Sequence, residues 1–193
     1  MTISVAKTVI VGEAQVGKTC LAMRAFSPTY DPTLTPEPTI GAEFWEGIFP
    51  IDEFGNSVKL EIWDTAGQES YKPLAPIFFQ NSSIAVLVFD VTEPKTIDSL
   101  GYYNDILKEY EQDCFIAVVG NKIDLEDERK ISYEEGKAYA EKIGSNFYME
   151  TSALTGEGVS ELFSALAHQK NLKFSQLSRS IGFSDSDNGR GCC

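Results

Sequence analysis

Directly after the apolar run Ile3 to Val11 the chain reads Gly12-Glu13-Ala14-Gln15-Val16-Gly17-Lys18-Thr19, the spacing G-x-x-x-x-G-K-T. That order of strand, glycine-bounded loop and helix start is the strongest constraint in the sequence. Two glycines let the backbone wrap closely round an anion, so that successive N–H groups and the opening turn of the next helix face it. Lys18 adds a point charge there. The Thr19 hydroxyl suits Mg²⁺, a hard ion that keeps waters and bridges β- and γ-phosphate oxygens. The expected ligand is a nucleoside triphosphate with its magnesium ion.

With 193 residues, 42% of them hydrophobic and 23% charged, the chain is long enough for one well-buried core, and a single globular domain is expected. Its 29 acidic side chains outnumber 16 basic ones, and the formal charge of -13 repels both nucleic acid and anionic lipid. Nucleic acid is therefore not an expected partner, and attachment to a membrane needs a device other than charge. Cys20, Cys114, Cys192 and Cys193 are too scattered for a disulfide framework. The chain opens on no cleavable apolar leader and holds no run of about 18 apolar residues, so a reducing, cytosolic compartment is expected.

Apolar runs alternate with helical patterns. Thr8 to Val11, Val58 to Trp63, Ala85 to Phe89, Phe115 to Val119 and Phe147 to Met149 read as strands, most of them buried on both faces. Ile97, Leu100, Tyr103 or Asn104, Leu107 and Tyr110 fall on one helical stripe, as do Val159, Leu162, Phe163 and Leu166. Ser132 with Glu135 three residues on predicts a capped helix start, and Gly144 its end. Phe44 to Ile51 and Val58 to Trp63, joined across residues 52–56, predict a hairpin. The sum is an α/β fold of the P-loop NTPase type: a six-stranded, mostly parallel sheet with one antiparallel edge strand and helices on both faces. Ligands in such sheets lie beyond the carboxyl ends of the strands, where the phosphate loop already is.

Ser27 to Thr39, with Pro28, Pro32, Pro36 and Pro38, cannot be helical and reads as a functional loop. From Phe174 onward Ser, Asp, Asn and Gly dominate. The chain is therefore divided into a domain at 1–173 and a disordered tail at 174–193.

Asp64-Thr65-Ala66-Gly67-Gln68-Glu69 follows a predicted strand. An Asp at such a strand end can hold Mg²⁺ through a water, a Gln four residues later can orient an attacking water, and Gly67 lets its N–H approach a terminal phosphate. Asn121-Lys122-Ile123-Asp124 leaves another strand. A carboxylate there accepts from the ring N–H and exocyclic amine of guanine, whereas adenine offers no matching pair of donors. Glu150-Thr151-Ser152-Ala153 follows the last strand, where the Ala153 N–H can meet the guanine carbonyl. GTP is favoured over ATP on these grounds, and a P-loop ATPase or kinase is disfavoured.

With four ordered motifs, GEAQVGKT, DTAGQE, NKID and ETSA, across residues 12–153, the chain resembles the Ras superfamily of small GTPases and, within it, the Rab family. The Rab likeness rests on Ile40-Gly41-Ala42-Glu43-Phe44, Lys59-Leu60-Glu61-Ile62-Trp63, Leu87-Val88-Phe89-Asp90-Val91-Thr92 and the terminal Cys192-Cys193. Leu74-Ala75-Pro76 resembles endosomal Rabs. The resemblance implies a switch that binds GTP, hydrolyses it slowly to GDP and phosphate, and regulates vesicle traffic through effectors that bind its GTP form.

Carried over by position, the resemblance implies nucleotide contacts from Glu13, Ala14, Gln15, Val16, Gly17, Lys18, Thr19, Cys20, Tyr30, Thr39, Asp64, Gly67, Asn121, Lys122, Asp124, Ser152, Ala153 and Leu154. Magnesium falls to Thr19, Thr39 and Asp64, and catalysis to Gln68, Lys18 and Thr39. Tyr30 is expected against the guanine. Loops Tyr30 to Ile40 and Asp64 to Phe79 become two switches, held by the γ-phosphate and released after hydrolysis. Ile40, Phe44, Trp63 and Phe78 are the implied effector contacts; from periodicity alone, core packing of these aromatics is an equal alternative.

Departures from the family pattern carry expectations of their own. Ala14 stands where Ras-like proteins have glycine, and its methyl group near Gln68 implies slow intrinsic hydrolysis. Leu154 replaces the lysine that often covers the base, which weakens stacking. The stretch from Thr19 to Thr39 is slightly longer than usual, with the insertion within Thr35 to Pro38. Gln15 is large and polar for its position, and the sequence offers no account of it. Rabs ending in Cys-Cys are geranylgeranylated on both, and two chains give the stable attachment that one does not.

A lipid anchor on Cys192 and Cys193 is therefore implied, with residence on the cytoplasmic face of intracellular membranes of endosomal type and cycling with the cytosol. The implied partners are an exchange factor, a GTPase-activating protein, effectors, and prenylation escort and GDP-dissociation-inhibitor-type proteins, for a chain expected to be monomeric. The alternative from another class is a non-catalytic G-domain module locked in one nucleotide state, which Ala14 and Gln15 keep open.

Overall fold

The computed structural model describes residues 2–34, 36–67 and 75–174. Among them six strands form one sheet: β1 (Ile3–Val11), β2 (Ala42–Pro50), β3 (Ser57–Thr65), β4 (Ile84–Asp90), β5 (Phe115–Asn121) and β6 (Phe147–Thr151). The order is β2-β3-β1-β4-β5-β6, with β2 antiparallel to β3 and the remaining pairings parallel. This is the expected sheet with its antiparallel edge strand. β1 lies between β3 and β4, so the chain builds outward on one side of β1 and then on the other. The connections diverge at that point, and sheet geometry places a ligand in the crevice between them.

Every residue of β4 is buried, and so is nearly all of β5. An unbroken apolar run suits a strand with helices on both faces. The expectation of two-faced burial fails for β3, where buried Val58, Leu60 and Ile62 alternate with partly exposed Lys59, Glu61 and Trp63, and for the edge strand β6. β1 reaches back to Ile3, beyond the run Thr8 to Val11, because its backbone pairs with β3 from Ile3–Ser57 to Ile10–Asp64.

On one face α1 (Lys18–Phe26) and α6 (Val159–Ala167) bring Leu21, Leu162, Phe163 and Leu166 onto Ile10, Leu60, Ile62 and Val86. On the other, α2 (Ala75–Phe79), α3 (Pro94–Asp98), α4 (Leu100–Tyr110) and α5 (Tyr133–Ile143) set Phe79, Ile97, Leu100, Leu107 and Ala140 against Val9, Val11, Leu87 and Val118. Each fully buried Leu or Phe contributes about 1.5–3 kcal/mol. The single stripe expected from Ile97 to Tyr110 is two helices. Ser99 parts them, and its hydroxyl bonds back to the Thr96 carbonyl at 2.9 Å, a local competitor of the helical ladder. α5 opens on the expected capping box of Ser132 and Glu135 and closes at Gly144.

Candidate functional site

The loop between β1 and α1 curls over the carboxyl edge of the sheet. Gly12 has φ +150, and a Cβ there would come within 2.2 Å of the Val88 carbonyl oxygen, so only glycine lets the loop leave so close to β4. Gln15 adopts φ +67, the left-handed region that costs a residue with a Cβ about 1–2 kcal/mol. Its large side chain is exposed at the rim of the cleft that it helps to line, so its size is accommodated there.

Lys18 is buried, and its Nζ donates to the carbonyl oxygens of Gly12 at 3.0 Å and Glu13 at 2.8 Å. Burial pulls its pKa down to about 8, against the raising effect of the Asp64 and Glu13 carboxylates. The Gly12 carbonyl also accepts from the Tyr103 hydroxyl at 3.3 Å, a tie from α4 that no motif announces. Gly67 presses on the same place: a Cβ there would lie 2.4 Å from the Lys18 Nζ and 2.6 Å from the Ala14 nitrogen.

The start of α1, the loop that carries Thr39 and the end of β3 bring oxygen atoms to one point beside it. The Thr19 hydroxyl donates to Asp64 Oδ2 at 2.6 Å and shares a hydrogen bond with the Thr39 hydroxyl at 2.9 Å. The second carboxylate oxygen, Asp64 Oδ1, is buried with no hydrogen-bond partner. Such a group costs free energy unless something satisfies it. Burial lifts the Asp64 pKa to about 6, with the Thr19 hydroxyl and Lys18 opposing the rise. Two hydroxyls and a carboxylate with spare lone pairs form a hard-oxygen set that fits Mg²⁺, which takes few protein ligands and completes its shell with waters and phosphate.

Above this cluster opens a cleft of about 580 Å³, walled by residues of the phosphate loop, Thr39, Gly67 and Lys122. Pro36, Glu37 and Pro38 close one side. The insertion expected within Thr35 to Pro38 thus falls on a wall of the cleft, Thr35 itself lying outside the described residues.

The other end of the cleft is braced by side chains that satisfy one another. Asn121 donates through Nδ2 to the Val16 carbonyl at 2.9 Å, and its Oδ1 accepts from the Thr151 hydroxyl and the Ala153 N–H, both at 3.2 Å. The Ala153 N–H, expected to face a base carbonyl, here donates to Asn121, so Asn121 joins the end of β5 to the phosphate loop and to residues 151–153. Ser152 donates to Asp124 Oδ1 at 2.5 Å and so fixes the carboxylate expected to read the base. Lys122, at φ +71, forms an ion pair with Asp90 at 2.6 Å. Tyr30 directs its hydroxyl at the Ala153 carbonyl, 3.5 Å away, with the Arg24 guanidinium 5.8 Å from its ring centre. Leu154 is half exposed beside them.

The sequence reading missed the clamp behind this end. Arg129 grips Glu150 through two parallel bonds of 3.0 Å, from Nη1 to Oε1 and from Nη2 to Oε2. Its Nε donates to Glu126 at 2.8 Å, and Tyr148 adds a hydroxyl bond to Glu150 at 3.0 Å. A forked pair of this kind is strong and directional. The available signal was an arginine shortly after NKID and the glutamate that opens ETSA.

Phe44, Trp63 and Phe78 stand in a row, with ring centres 5.6 Å and 6.4 Å apart. Phe44 is half exposed and Ile40 is 82% exposed, whereas Trp63 and Phe78 back onto the core under α2 and α4. The row is a contiguous surface on a core footing. Gln68, Leu74, Cys192 and Cys193 lie outside the described residues.

A model of the Ras family matches residues 7–171. The chain is 40% identical over 169 residues to the GTP-binding protein ypt5 of Schizosaccharomyces pombe, a match spanning 86% of this chain and 78% of that one. It is 35% identical over 193 residues to the Ras-related protein RabC of Dictyostelium discoideum, spanning 97% and 96%. Against the Ras-related protein Rab-17 of Mus musculus it is 38% identical over 167 residues, spanning 86% and 75%.

Proposed function

We propose that this chain, which belongs to the Ras family and within it to the Rab small GTPases, switches between GTP and GDP forms through one magnesium site made by Thr19, Thr39 and Asp64. As a small GTPase it hydrolyses GTP and acts in the regulation of membrane traffic. The observation that carries the residue-level reading is the meeting of Thr39 and Asp64 at the Thr19 hydroxyl, with Asp64 Oδ1 left buried and unpartnered.

Lys18 exchanges its own loop carbonyls for β- and γ-phosphate oxygens when GTP enters, and Gly67 gives its N–H to the terminal phosphoryl group. Magnesium, when bound, draws negative charge from the phosphate oxygens. Gln68 orients a water for in-line attack; the new oxygen–phosphorus bond forms as the bond to the β–γ bridging oxygen breaks, giving GDP and phosphate. The Ala14 methyl crowds that water and keeps the reaction slow without an activating protein. Asp124, held by Ser152, selects guanine. Loss of the γ-phosphate removes one hold on Thr39, and the loop that carries it is released.

Ile40, Phe44, Trp63 and Phe78 adjoin both switch segments and present the GTP-dependent surface to effectors. The domain ends near residue 173, where buried Leu172 precedes Lys173 paired with Glu111 at 3.1 Å, and the tail 174–193 carries the prenylated Cys192 and Cys193 to an endosomal type of membrane. Exchange, activating, escort and GDP-dissociation-inhibitor-type proteins complete the cycle. Calorimetry of nucleotide-stripped protein tests the reading: uptake of GTP and GDP with Mg²⁺, and none of ATP, is expected, with Thr39→Ala weakening GTP more than GDP. Equal affinity for ATP, or GTP that never decays once bound, contradicts it, the latter in favour of a locked binding module.

A further inference from the structure

We propose that Asp90, outside the four nucleotide motifs, is a positioning residue that pins Lys122 along the base end of the cleft and so sets how long a guanine nucleotide stays bound. The inference rests on the reading of that cleft as a guanine-nucleotide site. Asp90 ends β4 and is 6% exposed. Its Oδ1 accepts from the N–H and the hydroxyl of Thr92, at 2.8 and 2.7 Å, which fixes the plane of the carboxylate. Its Oδ2 lies 2.6 Å from the Lys122 Nζ. The backbone around it is equally tied: the Asp90 N–H donates to the Thr96 hydroxyl at 3.0 Å, and the Val91 N–H donates to the Asn121 carbonyl at 3.1 Å.

Lys122 needs such holding. It sits at φ +71, a conformation that persists in a residue with a Cβ only where neighbours over-determine it. With its ammonium group bound to Asp90, Lys122 has apolar stem rather than free charge to offer the cleft it lines. Leu154, which the resemblance sets over the base, is 51% exposed and carries no charge or ring. Beside the hydrogen bonds of Asp124, stacking on the base in this chain therefore leans on the lysine stem, and the place of that stem on one buried carboxylate. Asp90→Asn keeps an acceptor for Thr92 but turns an NH2 toward the ammonium group, two donors that cannot bond, so the lysine leaves its place.

Fluorescent GDP loaded into the full chain, then chased with excess unlabelled GDP in Mg²⁺, reads this directly. Asp90→Asn is expected to speed release about tenfold, the worth of one charge-assisted hydrogen bond. Made in a Lys122→Met background it should change release by less than about twofold, because no ammonium group remains to be held. Thr92→Val, which removes only the hydroxyl that orients Asp90, should give a smaller acceleration of about twofold to threefold, and decides the matter if Asp90→Asn does not fold. Wild-type release rates in Asp90→Asn or, failing that, in Thr92→Val overturn the proposal. So does equal acceleration by Asp90→Asn with and without Lys122, which would mark a purely structural role. A wild-type chain that takes up no GDP overturns the reading of the cleft and this inference together, whereas tight uptake with no effect at Asp90 overturns the inference alone.

Discussion

The two ends of the cleft solve opposite problems. At the base end Asn121 is bonded to Val16 and Ala153, Ser152 to Asp124 and Arg129 to Glu150, so the protein's own bonds hold the shape of the pocket. At the phosphate end Lys18 bonds the carbonyls of its own loop, Thr19 and Thr39 bond each other, and Asp64 keeps one oxygen unpartnered. A preformed end suits constant recognition, because little is rearranged when the base arrives. An end that keeps a buried carboxylate oxygen unpartnered suits a switch, because its stability depends on what satisfies that oxygen. Substitutions at the base end should therefore change affinity whatever the metal, and those at the phosphate end should change the dependence on metal and phosphate.

The largest effect belongs to Lys18. Lys18→Met is expected to weaken GDP binding about a thousandfold, since two charge-assisted bonds to phosphate are lost, and a loss below about tenfold in equilibrium titration would mean that Lys18 stays with its loop carbonyls.

Asp64 comes next. Its pKa rises from 3.8 to about 6 in the folded chain. A folded-state value above the unfolded one means that folding favours the protonated form, so this group contributes most stability below about pH 4 and loses it as pH climbs through 6. Above that it leaves a penalty of roughly 3 kcal/mol. Urea unfolding of stripped Asp64→Asn is expected to show about 2 kcal/mol of added stability at pH 7, shrinking toward zero at pH 4. A gain that is the same at both pH values would remove the burial penalty from the account.

The base end predicts a different pattern. Arg129→Met should hasten GDP release about tenfold, by the same factor with and without chelator, because the Glu150 clamp does not involve the metal. An effect confined to the magnesium form would erase the contrast between the two ends. The smallest change is at Ala14: Ala14→Gly is expected to raise single-turnover hydrolysis about threefold by relieving contact with the attacking water, and an unchanged rate would clear the methyl group of any role.

What could be read beforehand follows from the range of the forces involved. The order of strands and helices, the capping box at Ser132 and the phosphate loop are local patterns, visible in hydropathy and in glycine spacing. The meeting of Thr19, Thr39 and Asp64 was anticipated only because the motifs resemble a known family, since nothing local says that residue 39 folds back onto residue 19. Arg129 with Glu150, Asp90 with Lys122 and Tyr103 with Gly12 escaped notice because pairings between distant segments carry no periodic signature. The left-handed turn at Gln15 escaped for another reason: its conformation is imposed by the loop against the preference of the residue. The split of the helix at Ser99 was hidden because the apolar stripe runs through it unbroken.

The release of bound GDP before and after magnesium is chelated bears most directly on the oxygen cluster at the phosphate end. If Thr19, Thr39 and Asp64 hold the ion against the phosphates, chelation should speed release by about a hundredfold in the wild-type chain and by far less in Asp64→Asn. Release at one rate in both conditions would contradict the account.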